Sequence, residues 1–290
     1  MMTPPRLRRS LLFVPAVRPD RYPKALATGT DAVCIDLEDG VGFAAKDHAR
    51  AAAIELLTAR APTSIEVSLR INEPRSDLGV RDLEAILEAG LRLDALMLPK
   101  VSSPDDIRDA ESALGELASG VPLIIQLETA RGIAAAHEIA SASPRVDALL
   151  FGAIDLSADI GCSVEWDAML YARSQVVLAA AVAGVSALDS PFMDVPDLDA
   201  LGEESRRTRR LGFVGKAAIH PTQVAVIQAA FSPTPAEVGW ARRVVEAYEA
   251  NDGGVLLLDG HLIERPVVRA AQRTLRMARA GAEGEGSAPE

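Results

Sequence analysis

The 290-residue sequence has little cysteine, no long uninterrupted apolar run and a deficit of positive charge, and each shortage excludes a class of protein. Cys34 and Cys162 are too few for a disulfide framework and too far apart for a C-x-x-C metal or redox motif. A reducing compartment, the cytoplasm, is the expected location. Lysine and arginine number 30 against 41 acidic residues, for a net charge of -11, and the two signs are interspersed. No basic stripe is evident that could neutralise a phosphate backbone, so nucleic acid is not an expected partner. The longest apolar stretch, Val176 to Leu188, contains Gly184 and Ser186 and falls short of the roughly 20 residues a membrane-spanning helix needs. Near the start, Arg6-Leu7-Arg8-Arg9 followed by Leu11-Leu12-Phe13-Val14 imitates a signal peptide. Arg18, Asp20 and Arg21 interrupt it too early, and a first strand is the better reading.

What is present is the balance of an ordinary globular protein, 49% apolar and 24% charged, with chain enough for one large core or two smaller ones. Short runs rich in Val, Ile and Leu alternate with longer helical patterns. Strands are expected at Leu11 to Val14, Ala32 to Leu37, Ile65 to Ile71, Ala95 to Leu98, Leu123 to Leu127, Ala148 to Phe151, Val185 to Leu188 and Gly212 to Lys216. Each run is nearly continuous in apolar residues, as parallel strands buried on both faces are, and each gap is long enough for a crossover helix. Eight such units predict a closed (β/α)8 barrel over residues 1–231. Ser103-Pro104-Asp105-Asp106 opens one helix and Pro144 follows another. From Ser232-Pro233-Thr234-Pro235 a C-terminal extension, residues 232–280, is expected to run helix, hairpin, helix. The hairpin pairs Val255 to Leu258 with a return to Ile263 around Asp259-Gly260, and the last helix runs from Pro266 to about Ala280. Residues 281–290 read as a disordered tail.

In an eight-fold barrel the chemistry sits at the carboxyl ends of the strands, and here those ends are charged. Strand two ends in Asp36-Leu37-Glu38-Asp39-Gly40, strand three carries Arg70 before Asn72, strand four ends at Lys100 and strand five at Glu128. Gly152 and Asp155 follow strand six, Asp189 ends strand seven, and Lys216 and His220 lie at strand eight. Gathering unpaired ions costs several kcal/mol each, so such a ring needs internal pairing, a metal or an anionic ligand. Glu128 and Asp155 are hard oxygen donors without a histidine pair or thiolate cluster, which suits Mg2+ or Mn2+ rather than zinc. The alternative is that they pair with Arg131, Lys100 or Lys216. Arg70 has a planar fork for a substrate carboxylate, or it forms a salt bridge to Glu38 or Asp39. His220 either caps the helix that begins at Pro221 or faces the site. Lys100 and Lys216 either hold Asp39 and Asp189 or, less economically, one forms a Schiff base.

Several runs together carry a resemblance. Ser10-Leu11-Leu12-Phe13-Val14-Pro15, Ile35-Asp36-Leu37-Glu38-Asp39-Gly40-Val41, Leu69-Arg70-Ile71-Asn72 and Met97-Leu98-Pro99-Lys100-Val101 resemble the citrate lyase beta-subunit family of the HpcH/HpaI aldolase superfamily. So do Gln126-Leu127-Glu128-Thr129-Ala130-Arg131-Gly132, Phe151-Gly152-Ala153-Ile154-Asp155-Leu156, Gly215 to Gln223 and Phe231-Ser232-Pro233, in order from Ser10 to about Arg276. The resemblance implies a TIM-barrel lyase acting on citryl-CoA, malyl-CoA, citramalyl-CoA or a related thioester, as a trimer or hexamer. It implies Glu128 and Asp155 as magnesium ligands and Arg70 as the anchor of the substrate carboxylate. Phe13, Lys24, Ile219 and His220 fall where relatives contact CoA, and Glu38 and Asp39 where they hold metal-bound water or orient Arg70.

One segment departs from the pattern. Relatives resembling malyl-CoA and citramalyl-CoA lyases read Ile-Asp-x-Pro after the hairpin, and that aspartate enters a neighbouring subunit's site as acid/base. Here the segment is Ile263-Glu264-Arg265-Pro266. The extra methylene of Glu264 puts rate or substrate size in question, since a displacement on the order of 1 Å can cost about 100-fold. Glu264 is either that proton carrier or a surface residue paired with Arg265 or Arg269. The expected activity is a Mg2+-dependent carbon-carbon lyase on a CoA thioester and a small keto acid. A malate synthase-like thioesterase, a CoA-free pyruvate aldolase and a non-catalytic binding protein are the alternatives.

Overall fold

The computed structural model describes residues 6–115 and 120–285. Eight strands, β1 Ser10–Pro15, β2 Ala32–Asp36, β3 Glu66–Arg70, β4 Ala95–Leu98, β5 Leu123–Leu127, β6 Val146–Phe151, β7 Ser186–Asp189 and β8 Gly215–Ala218, form a closed barrel in sequence order. Every neighbouring pair is parallel, and β1 closes on β8 through Ser10↔Lys216, Leu11↔Ala217 and Leu12↔Ala218. Helices occupy the crossovers, so this is a (β/α)8 TIM barrel. The eighth strand starts three residues later than the sequence suggested, because Gly212 (φ 118°) takes the left-handed conformation that ends the helix Leu198–Leu211.

Side chains alternate across each strand, and the interior set is Leu11, Ala32, Cys34, Ala95, Met97, Ile124, Ala148, Leu150, Leu188 and Ala217. Neighbouring positions therefore face the helices. Asp189 and Lys216, adjacent to the inward Leu188 and Ala217, lie on the outer face and not at the mouth. There Lys216 Nζ meets Asp189 Oδ2 at 2.6 Å and Glu204 Oε1 at 2.7 Å, and Arg173 Nε meets Asp189 Oδ1 at 2.9 Å. At the amino-terminal end Arg8, its side chain fully buried, reaches from the β1 side to Glu66 on β3 (2.9 Å) and to Asp147 on β6 (2.6 Å). Neither strand neighbours β1, so this arginine spans the lower end of the barrel and plugs it.

Met1–Gln228 and Ala229–Glu290 are two compact units. The second runs helix, hairpin, helix. Thr234 and Glu237 form a reciprocal capping box at the start of the helix Pro235–Ala250. Strands β9 Leu256–Leu258 and β10 His261–Ile263 pair antiparallel around Asp259 (φ 50°) and Gly260 (φ 79°), the two positive angles a tight hairpin turn requires. The last helix, Arg265–Glu285, passes the expected end near Ala280. Residues 286–290 of the expected tail lie outside the described residues. Ala241, Val244, Ile263, Val268 and Ala271 are the buried core of this unit. Among the described residues no helix is long and apolar enough to cross a membrane.

Candidate functional site

The alternation that fills the barrel with small apolar residues ends, at the carboxyl rim, in polar ones. Asp36 is aligned with Arg70 in the ladder, and both continue the inward row of Cys34 and Ser68. Arg70 Nε and Nη2 donate to Asp36 Oδ1 and Oδ2, each at 2.7 Å, a bidentate pair buried within the mouth. Arg70 Nη1 turns to Glu38 Oε2 at 2.9 Å and to Gln126 Oε1 at 3.3 Å, and its guanidinium carbon lies 4.6 Å over the Phe13 ring. Asp36 also accepts the backbone N–H of Glu38 and of Gly40, both at 2.9 Å, which folds the acidic loop back over the strand end. Burial opposes its ionisation. The charge and hydrogen bonds of Arg70, with the two amides, outweigh burial and hold Asp36 below the ordinary carboxylate range.

Lys46 secures the other side of this loop, donating to the carbonyls of Leu37 and Glu38 (2.7 Å each) and to Asn72 Oδ1 (2.6 Å). Asn72 is itself fixed by Asp82 through its backbone N–H and its amide.

Lys100 follows β4 with φ 55°, a left-handed conformation uncommon for a lysine. That geometry aims its backbone N–H at Glu128 Oε1 (2.9 Å), while its ammonium contacts Glu38, lies 3.5 Å from Asp155 Oδ1 and 3.6 Å from Asp39 Oδ1. Glu128 is 0% exposed, and its second oxygen accepts from Gln126 Nε2. Burial first, then the nearby charges of Glu38 and Asp155, push its carboxyl up to about 8. Gly152 makes room for it: a Cβ there would lie 2.4 Å from Glu128 Cβ and 2.6 Å from Oε2.

Arg70, Glu38, Asp39, Glu128, Asp155 and Phe13 are thus gathered at one mouth, with Lys100 at their centre. The expected carboxylate grip of Arg70 is modified, since the fork is closed on Asp36, a partner that strand-end reading overlooked. Two adjacent parallel strands ending in Asp and Arg, with the same parity, were the available signal. Gln126, two residues before Glu128 on the same face, and Lys46 were missed as well. Ile219 and His220 follow β8 and are exposed, as is Lys24 in the helix Tyr22–Leu26, and no hydrogen bond or ion pair among the described residues joins the three to this cluster. Instead His220 Nδ1 accepts the backbone N–H of Thr222 at 3.3 Å, a helix-capping contact. Glu264 belongs to the second unit, where its side chain is exposed and its carbonyl accepts from Val268 N at 3.1 Å.

Comparison with known proteins adds an independent finding. Residues 9–221 match the family described as HpcH/HpaI aldolase/citrate lyase. Citrate lyase subunit beta of Leuconostoc mesenteroides subsp. cremoris is 33% identical over 287 residues, 95% of this chain and 94% of that protein. The mitochondrial citramalyl-CoA lyase of Mus musculus is 33% identical over 290 residues, 93% of this chain and 86% of that protein. Among solved structures, protein CitE from Mycobacterium tuberculosis in complex with magnesium, acetoacetate and coenzyme A matches with a TM-score of 0.81 at 34% identity, covering 93% of this chain and 98% of that one.

Proposed function

The chain belongs to the HpcH/HpaI aldolase/citrate lyase family, and from that premise we propose a Mg2+-dependent carbon-carbon lyase. Its substrate is a 3-hydroxyacyl-CoA thioester such as citryl-, malyl- or citramalyl-CoA, cleaved to acetyl-CoA and a keto acid or formed from them. The observation that carries this reading is Lys100, whose amide touches Glu128 and whose ammonium lies 3.5 Å from Asp155, so that two hard oxygen donors fall within one residue's reach.

The donor set fits Mg2+, with Mn2+ as a substitute. Two carboxylates leave coordination positions for water and substrate; among the described residues no group of three or more His, Cys, Asp or Glu is arranged to hold a metal ion, so the protein's own share of the ligands is these two. Charge on buried Glu128 is disfavoured by Glu38 and Asp155, a condition that a dication relieves. When bound, Mg2+ supplies a Lewis acid for the oxygen next to the substrate carboxylate.

The protein's own groups do the rest. Nη1 of Arg70 is the donor free to turn from Glu38 to an incoming carboxylate, while Asp36 holds the remainder of the fork rigid. Glu38 orients Arg70, and Asp39 stands beside Lys100 at the rim. The CoA arm enters past Phe13, Lys24, Ile219 and His220. Removal of the substrate hydroxyl proton lets the carbon-carbon bond break, and Glu264 of an adjacent protomer, in a cytoplasmic homotrimer or hexamer, carries the proton at the acetyl methyl carbon.

A panel of citryl-, malyl- and citramalyl-CoA, assayed with and without Mg2+ for wild type and Glu128→Gln, tests the proposal. Cleavage of one thioester by wild type and none by the folded variant is expected. Turnover that survives both chelation and the substitution sinks the metal site.

A further inference from the structure

The chain carries a net charge of -11, yet no acidic residue occurs from Arg265 to Ala282, and that stretch contains Arg265, Arg269, Arg273, Arg276 and Arg279. At about 100° per residue the five fall within an arc of about 120° on the helix Arg265–Glu285. All five are exposed, and none forms an ion pair among the described residues. The basic stripe that the interspersed sequence concealed is therefore assembled by helical winding. A neighbouring face of the helix, centred roughly 110° round from the stripe, is already covered, since Val268, Ala271 and Leu275 pack within the second unit's own core. With no apolar face left over, the helix is not built to lie in a lipid surface.

We infer that this arginine face receives the phosphate groups of the coenzyme A thioester, an inference that rests on the reading of Glu264 as the neighbouring protomer's proton carrier. Three physical arguments support it. An acidic protein repels a polyanionic substrate unless a local positive surface captures it, and the 3′-phosphate of CoA alone carries about -1.5 to -2 at neutral pH. Guanidinium groups take phosphate oxygens in bidentate fashion, where ammonium groups act only as point charges. Finally, the stripe begins at the residue after Glu264. Arg269, Arg273 and Arg276 follow at about 7.5, 13.5 and 18 Å along the helix axis, the length scale over which an extended pantetheine arm separates a thioester from its phosphates. A carboxylate at the reacting end and arginines at the nucleotide end then lie on one rigid element.

Calorimetric titration of the full-length protein with CoA and with pantetheine, which lacks the nucleotide and its phosphates, tests this. For the triple variant Arg269→Gln, Arg273→Gln, Arg276→Gln, the dissociation constant for CoA rises at least tenfold while that for pantetheine is unmoved, and the salt dependence of CoA binding flattens. The corresponding triple lysine variant recovers part of the affinity. Unchanged CoA binding in the glutamine variant, an equal loss for pantetheine, or a wild type that binds CoA no better than pantetheine overturns the inference. Wild-type turnover is scored separately. Arginine-dependent CoA binding by a protein inert on every thioester upholds the surface and sinks the lyase. An active lyase with arginine-independent binding does the reverse.

Discussion

Asp36 holds Arg70 through both Nε and Nη2 at 2.7 Å, so the arginine at the barrel mouth is anchored to the protein before any ligand arrives. Removing one partner of a buried ion pair leaves the other uncompensated, at a cost of about 3–5 kcal/mol. Asp36→Asn is therefore expected to lower stability by about that amount in urea denaturation. The pH dependence has a definite sign. Because the folded-state pKa of Asp36 is depressed, its contribution is complete above the unfolded value of about 3.9 and disappears as pH falls through the folded value. Wild type should lose this increment in acid, and Asp36→Asn should show a flatter acid limb.

Glu128 has the opposite sign. Its carboxyl is raised to about 8, so near neutral pH the metal-free group is largely protonated, and an Mg2+ ion held by Glu128 would displace that proton. Affinity should weaken about tenfold for each pH unit below about 8. Calorimetry in two buffers of different ionisation enthalpy should report close to one proton released per ion near pH 7. No proton release would mean that Glu128 is not a ligand.

Gly152 is a position where a single added methyl group would strike a residue of the site directly. Gly152→Ala places a Cβ against Glu128 Cβ and Oε2, so the glutamate must move. A stability loss of about 1–3 kcal/mol is expected in denaturant melts. Mg2+ affinity in the folded variant should fall by about 10- to 100-fold.

Glu264 can be tested for action across a protomer boundary. Glu264→Gln should bind Mg2+ normally and lose turnover by about 100-fold or more. Mixed oligomers of Glu264→Gln and Glu128→Gln chains should regain activity, because some sites then combine an intact Glu128 with an intact Glu264. Failure of the mixture to exceed its components would place Glu264 outside the chemistry.

The barrel was legible because each of eight strands is a short apolar run separated by a helix-length gap. The run Ala95 to Leu98 was recovered to the residue, whereas the eighth strand was misplaced because a helix-ending glycine looks like a strand start. At the mouth, residue type and strand end singled out Glu128, Asp155, Glu38 and Arg70, which the structure brings together there. Pairing was another matter. Asp36 meets Arg70 because parallel register aligns them, Lys216 leaves the mouth because parity turns it outward, and Lys100 touches Glu128 through a backbone angle that no composition encodes.

Arg8, tied to Glu66 and Asp147 across the floor of the barrel, links the lower ends of β3 and β6 to the β1 side. The barrel is thereby cross-braced at the end away from Glu128, and loss of this one side chain would deprive two strands of their shared tie.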